Sequence, residues 1–312
     1  MTDMLTLNQN YSTTRLLTKE KPVLEHTPED TFETRLFLPE NKARKGEGGL
    51  RTKGYFKKSY EDKPLISVVT VVFNGEKHLE QTIQSVINQS YDNVEYIIVD
   101  GGSTDGTLDI IRKYEDAIDY WVSESDSGIY DAMNKGVSLA VGEYLAFMNA
   151  DDWFEYGAIE LVANRSLEQN PDYIFGDLNR IFDDDTIELH KGDLSTYKKY
   201  TPIGHQALFV KSKILKEMPF DLKYRIMADY DSMIKLIDNN FTSIYIDKSL
   251  ASFRLGGVSS TSEDKDKERF DIQYKNFGLI YAVLGYLRGT KQPMIYIITS
   301  KLLKLKKKYE DR

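Results

Sequence analysis

The run Ile66 to Phe73 (ISVVTVVF) constrains this chain more than any other stretch. It is an almost unbroken series of β-branched and aromatic residues with no polar face. A strand of that composition must be covered on both sides, as the strands of parallel sheets are by their crossover helices. After the turn Asn74-Gly75, the residues Leu79, Ile83, Val86 and Ile87 recur at helical offsets and predict an amphipathic helix. Tyr96 to Val99 reads as a second buried strand ending at Asp100. The turn Gly-Gly-Ser-Thr-Asp-Gly then opens a helix with Leu108, Ile110 and Ile111 inward. Strand and helix in alternation make the βαβ pattern, so the expected class is α/β with a mostly parallel central sheet flanked by helices.

The pattern continues with Tyr144 to Met148 running into Asn149-Ala150-Asp151-Asp152, and with Tyr173 to Phe175 leading to Gly176-Asp177. A helix holding Asp229, Met233, Leu236 and Ile237 comes next, then a strand at Thr242 to Ile246. Near the end, Phe270, Tyr274, Phe277, Tyr281 and Leu284 alternate steps of four and three, as in helices. Three regions are therefore expected: an N-terminal extension over 1–63, the main domain over 64–262, and a C-terminal helical region over 263–312. The extension is polar and weakly periodic. It reads either as a partly ordered arm or as a segment packed on the domain through Leu36, Phe37, Leu38, Tyr55 and Phe56.

Composition removes whole classes of function. The net charge of -8 argues against nucleic acid as a partner, because a phosphate backbone needs a basic footprint. The absence of cysteine excludes disulfides, thiolate nucleophiles, iron–sulfur clusters and cysteine zinc sites. No apolar run is long enough to predict a membrane-spanning helix, and the N-terminus lacks the pattern of a secretory signal, so the expected location is cytoplasmic.

In open parallel sheets, ligands bind beyond the carboxyl ends of the strands. The polar residues Asn74, Asp100 and Asp151-Asp152 fall at those ends. Adjacent carboxylates after a buried strand repel each other unless a cation or hydrogen-bond donors compensate, and hard oxygen ligands suit Mg²⁺ or Mn²⁺. The pair reads equally as a solvated loop before the helix expected near Tyr156. Asp100 either accepts a hydrogen bond from a pyrimidine ring or closes an ordinary turn capped by Ser103, Thr104 or Asp105. The glycines around it fit neither a Walker loop nor a Rossmann fingerprint. The segment Glu124 to Gly136 carries a polar turn into a helix, where backbone N–H groups could meet an anion, or it is a capped helix start. Asp229 lies four residues before Met233 on an apolar helical face. A carboxylate there points to the interior or to a cleft, which suits a general base.

Taken in order, these segments resemble the family-2 glycosyltransferases, nucleotide-sugar enzymes of the GT-A fold. The likeness runs from about Leu65 to Ser260 and rests on several motifs: Ser67 to Asn74; Gln84 to Ser90; Ile97 to Thr107; Ser127-Gly-Ile-Tyr-Asp131-Ala-Met-Asn134-Lys135-Gly136; Gly142-Glu-Tyr; Asn149-Ala-Asp151-Asp152; and Ala228-Asp229-Tyr-Asp231. The resemblance implies a Rossmann-like nucleotide-binding half in which Phe73, Asn74 and Asp100 hold the base and ribose. It implies that Asp126, Asp131, Asn134, Lys135 and Gly136 contact the ribose, diphosphate or donor sugar. Asp152 would bind Mn²⁺ or Mg²⁺, Asp151 the ribose or donor sugar, and Asp229 would be the catalytic base. Asp177, His205 and Gln206 resemble acceptor-side residues, and Arg254 to Ser259 a loop closing over the donor phosphates. The metal motif departs from the usual three-residue acidic form, which places most of the coordination on Asp152.

The activity implied by the resemblance is an inverting transfer of sugar, from a UDP-sugar or its dTDP equivalent, to a glycan or lipid-linked acceptor in cell-surface polysaccharide assembly. The basic, amphipathic stretch Ile295 to Lys308 reads either as a helix docking peripherally on the inner face of the membrane or as a solvated terminal helix. Two rival readings share parts of the pattern: a nucleotidyltransferase, and a nucleotide-sugar-binding protein whose catalysis has lapsed. The first lacks its Gly-rich basic loop after the first strand. Retention of both Asp152 and Asp229 speaks against the second.

Overall fold

A computed structural model describes residues 4–24, 31, 33–256 and 264–289. Its first half supplies β1 (Gly46–Gly48), β2 (Ile66–Val72), α1 (Leu79–Ile87), β3 (Val94–Asp100), α2 (Thr107–Lys113), β4 (Tyr120–Ser123), α3 (Ile129–Leu139) and β5 (Tyr144–Asn149). The second half adds β6 (Trp153–Phe154), α4 (Ala158–Gln169), β7 (Tyr173–Ile181), β8 (Ile187–His190), β9 (Leu208–Lys211), α5 (Ser212–Glu217), α6 (Ala228–Asp238), β10 (Ser243–Arg254), α7 (Asp264–Phe277) and α8 (Leu279–Gly289).

One sheet runs through the molecule in the order β1-β4-β3-β2-β5-β9-β7-β10-β6, with β8 beside β7. Strands β4, β3, β2 and β5 are mutually parallel, as the buried runs require. Each sends alternate residues to opposite faces. On β2, Val68 joins the core under α1 and α4, while Val69 and Val71 join the core under α3, α5 and α6. On β5, Tyr144, Ala146 and Met148 face the first of these layers and Leu145 and Phe147 the second. Burial of each such Val, Leu or Phe stabilises the fold by about 1.5–3 kcal/mol.

The registers align the strand ends that matter. Val72 lies opposite Asp100, Asp100 opposite Ser123, and Val71 opposite Asn149. The segments after β2, β3, β4 and β5 therefore emerge along one edge of the sheet.

Past β5 the sheet becomes mixed: β9 is antiparallel to β5 and β7, and β7 is parallel to β10. The strand expected at Thr242 to Ile246 extends instead to Arg254. Its polar stretch Asp247-Lys248-Ser249 is an irregularity in the pairing, after which Ala251 to Arg254 resume register with Leu178 to Ile181.

The N-terminal segment is built into the domain. Its β1 forms the sheet edge against β4, and Ser12, Thr13, Leu17, Leu50 and Phe56 are buried. Arg51, almost wholly buried, pairs with Glu95 of β3 at 2.6 Å. At the other end, α7 and α8 provide the expected helices, and Ile272 enters the core. Among the described residues no helix is long and apolar enough to cross a membrane. Two expectations fall outside the described residues: the later part of the Arg254 loop, 257–259, and the basic stretch 295–308.

Candidate active site

The segments after β2 and β3 are knitted to each other. Asn74 turns the chain with a φ of 53°, in the left-handed region that Asn tolerates better than most residues. Its Oδ1 accepts from Thr104 N (2.9 Å), and its own N donates to Ser103 Oγ (2.7 Å). Asp100 is wholly buried. Its carboxylate accepts from Gly102 N (3.1 Å), Ser103 N (3.0 Å), Ser123 Oγ (2.5 Å) and Ser103 Oγ. The resemblance places both residues on the base and ribose. In the structure the Asp100 carboxylate and the Asn74 Oδ1 also shape the loop, because a buried carboxylate at a strand end needs several donors and the loop itself supplies them. Phe73 is different. It is 65% exposed at the end of β2 and offers a free aromatic face there.

The segment after β4 divides in the same way. Asp126 Oδ1 accepts from Gly128 N (2.8 Å), and burial raises its pKa above the usual carboxylate value. Asp131 accepts from Ser127 N (3.0 Å) and lies 3.7 Å from Lys135, whose ammonium is also 3.3 Å from Glu124. These three side chains stay on the open side of α3. Asn134 and Gly136 do not. Asn134 is buried and exchanges two hydrogen bonds of 3.0 Å with the Phe220 backbone. Gly136 lets α3 pack on β2, since a Cβ there would collide with Val69. Their side of the helix faces the core.

The third group lies where β5, β10 and α6 meet. Asp152 is wholly buried; its Oδ2 accepts from Gln206 Nε2 (2.6 Å) and its Oδ1 from Arg254 N (3.0 Å). Burial, reinforced by the Asp151 charge, pushes its pKa up to about 7. Beside it, His205 Nδ1 is 3.2 Å from Asp229 Oδ2. Asp229 Oδ1 accepts from Tyr230 N (2.8 Å) and lies 3.0 Å from the Tyr130 hydroxyl. Burial alone would raise the Asp229 pKa, but His205 and the tyrosine donors hold it below the usual carboxylate range. Burial alone would lower His205, yet Asp229, Asp152 and Asp151 keep it above its ordinary value. The pair thus favours carboxylate and imidazolium.

Of the residues expected on the acceptor side, His205 and Gln206 are brought to the two central carboxylates. Asp177 is not: it is buried on β7, accepting from Gly192 N and Tyr245 Oη. Arg254 stacks its guanidinium 5.2 Å from the Trp153 ring and reaches Gln81, while its Nε is buried without a partner among the described residues. An open cavity of about 290 Å³ adjoins the site, lined by Gly128, Ile129, Tyr130, Asp131, Tyr224 and Arg225, among others. Tyr130 belongs both to this cavity and to the Asp229 cluster.

Asp151, Asp152 and the Nε2 of His205 bear on whether a divalent cation fits. That nitrogen is buried and has no hydrogen-bond partner among the described residues. As imidazolium that nitrogen carries a proton and does not ligate, so the hard oxygen atoms of Asp151 and Asp152 are the ones that suit Mg²⁺ or Mn²⁺. Among the described residues no three acidic or histidine side chains already form a cage. A cation here would rely on one or two carboxylates and on substrate phosphates, the usual habit of Mg²⁺. The residues fit such an ion.

Sequence reasoning passes over Tyr130 and Glu268. Tyr130 sits inside the motif before Asp131, and that position is the available signal. Glu268 of α7 accepts from the N–H groups of Arg225, Ile226 and Met227 (2.7, 2.9 and 3.0 Å), fixing the approach to α6. Nothing local in the sequence marks it.

Residues 67–222, half of the chain, match the family described as Glycosyl transferase family 2. A PGL/p-HBAD biosynthesis glycosyltransferase of Mycobacterium tuberculosis is 31% identical over 220 residues, covering 65% of this chain and 82% of that protein. TuaG of Bacillus subtilis, named as a teichuronic acid biosynthesis glycosyltransferase, is 31% identical over 209 residues, covering 64% and 82%. Among solved structures, residues 1–349 of S. aureus TarS with UDP-GlcNAc superpose with a TM-score of 0.58 at 16% identity, covering 74% of this chain and 68% of that one. The fold is that of a GT-A glycosyltransferase. The chain belongs to glycosyl transferase family 2.

Proposed function

We propose that this protein transfers a sugar with inversion, from a UDP-sugar to a glycan or lipid-linked acceptor in the assembly of a cell-surface polysaccharide or glycoconjugate. The observation that carries the reading is the ionised Asp229 carboxylate, held by Tyr130 and His205 beside Asp152 and next to the open cavity. The relatives named for PGL/p-HBAD and teichuronic acid biosynthesis support this class of product. TarS, bound to UDP-GlcNAc, supports a uridine donor at the level of the shared fold.

In this reading the base stacks on Phe73, and Asp126 and Asp131 accept hydrogen bonds from ribose or sugar hydroxyls. Asp229 accepts the proton of the acceptor hydroxyl as that oxygen bonds to C1. The bond from C1 to the diphosphate breaks, and its electron pair leaves with the nucleoside diphosphate. A weak base suffices, because the hydroxyl proton becomes acidic only as the new bond forms. Arg254, with its unpartnered Nε, faces the charge that develops on the leaving group. Mn²⁺ or Mg²⁺, held by Asp152, would supply Lewis-acid neutralisation of that charge. The proposed location is the cytoplasm, peripheral to the inner face of the membrane.

The test is release of free nucleotide from a panel of UDP-, dTDP- and GDP-sugars, with Mn²⁺, with Mg²⁺ and with EDTA. Metal-dependent hydrolysis of one UDP-sugar, lost in Asp152→Ala, is the expected result. Release that is indifferent to both EDTA and Asp152→Ala would reject the metal assignment. Failure of every donor to bind would reject the function.

A further inference from the structure

Residues 39–51 precede the stretch matched by the family, and the proposed chemistry uses none of them. This segment is nevertheless fastened to both loops that flank the candidate nucleotide site. Strand β1 lies against β4, with Gly46 opposite Ser123 and Gly48 opposite Trp121. The fit is close, since a Cβ on Gly48 would come within 2.6 Å of Trp121 Nε1. Lys45 N donates to Ser123 O at 2.8 Å, and its ammonium crosses to the other loop, donating to Gly102 O (2.7 Å) and Ser103 O (3.0 Å). Its neighbour Arg44 reaches Glu124 Oε2 at 3.1 Å, Glu47 at 2.6 Å and Pro39 O at 2.6 Å.

Two adjacent side chains thus hold the Gly101–Asp105 loop and the turn after β4 at the same time. Their grip complements that of Asp100. Asp100 gathers the N–H groups of Gly102 and Ser103, and Lys45 gathers the carbonyl oxygens of those same two residues. The two loops meet where Gly101 packs against the Asp126 carboxylate, so their spacing fixes the loops after β3 and β4 that flank the candidate nucleotide slot.

We infer that Arg44 and Lys45 are positioning residues for the nucleoside diphosphate portion of the donor, which makes the N-terminal segment part of the donor site. The inference rests on the reading that this slot takes the donor nucleotide. The experiment is calorimetric titration of UDP into the full-length protein and its Lys45→Ala, Lys45→Arg and Arg44→Ala variants, with donor-hydrolysis kinetics measured on the same proteins. Lys45 is exposed, so its variants should melt with wild type. Lys45→Ala should weaken UDP by about 10-fold, a change of about 1.4 kcal/mol, and raise donor KM in step, with kcat nearly unchanged. Arg44→Ala should act in the same direction, and Lys45→Arg should recover most of the affinity. Wild-type affinity in Lys45→Ala, or a fall in kcat at constant KM, would overturn this inference alone. If the wild-type protein binds no nucleoside diphosphate, both this inference and the donor reading fall.

Discussion

His205 Nδ1 stands 3.2 Å from Asp229 Oδ2, and the two side chains come from segments that meet only in the folded chain. Asp229 opens α6, whereas His205 sits just before β9. The contact keeps the carboxylate ionised inside a largely buried cluster, where desolvation alone would protonate it.

Asp229→Asn should therefore fold normally and lose transfer by about 10²- to 10⁴-fold, the usual scale for removing a general base. The amide can still accept from Tyr230 N. Nucleotide affinity should be nearly unchanged, and titration with UDP beside a transfer assay would separate the two effects. Near-full transfer by the variant would remove Asp229 from the mechanism.

Gln206→Leu should damage both stability and activity. It deletes the 2.6 Å hydrogen bond to Asp152 and leaves Oδ2 of a buried carboxylate without that donor. The cost is about 1–3 kcal/mol, readable by urea denaturation. An added divalent cation should restore part of the loss if Asp152 is a ligand, because binding to the folded state stabilises it.

Asp126→Asn should separate stability from function. The folded-state pKa of Asp126 is raised, with burial as the leading cause. Its stabilising contribution is therefore fully present below the unfolded value of about 4 and is lost as pH rises through the folded value. Above that folded value the wild type carries a desolvated carboxylate, while the variant carries a neutral amide that can still accept from Gly128 N. The variant should melt no lower than wild type at pH 7, lose any advantage near pH 4, and bind UDP more weakly. A lower melting point at pH 7 would contradict the sign of this argument.

Deletion of residues 295–312 should abolish binding to anionic vesicles while leaving soluble donor hydrolysis intact. Each basic residue near such a surface is worth roughly 1 kcal/mol, and this stretch supplies several. Cosedimentation with phosphatidylserine vesicles at low and high salt is the measurement. Equal binding by the truncated protein would refute membrane docking through this stretch.

The parallel heart of the sheet and the edge that carries the chemistry are legible in the chain alone. Apolar runs such as Ile66–Phe73 and Tyr96–Val99 can be read there because two-sided burial leaves a local signature. The residues just after them must then lie at strand ends. Short or polar elements leave no comparable mark: β4 has four residues, and the return of β10 to register past Asp247 to Ser249 needs β7 beside it. Folding also settles which polar residues remain free. In one dimension Asp100, Asn74 and Asn134 show only their polarity, and the fold alone sets their hydrogen bonds with Gly102, Ser123, Thr104 and Phe220. Conversely, Tyr130, Glu268 and Lys45 acquire their roles through contacts with residues more than 40 positions away. A hydrogen bond forms between atoms that folding brings within about 3 Å, and sequence periodicity reports only the face a residue occupies, not the partner it meets there.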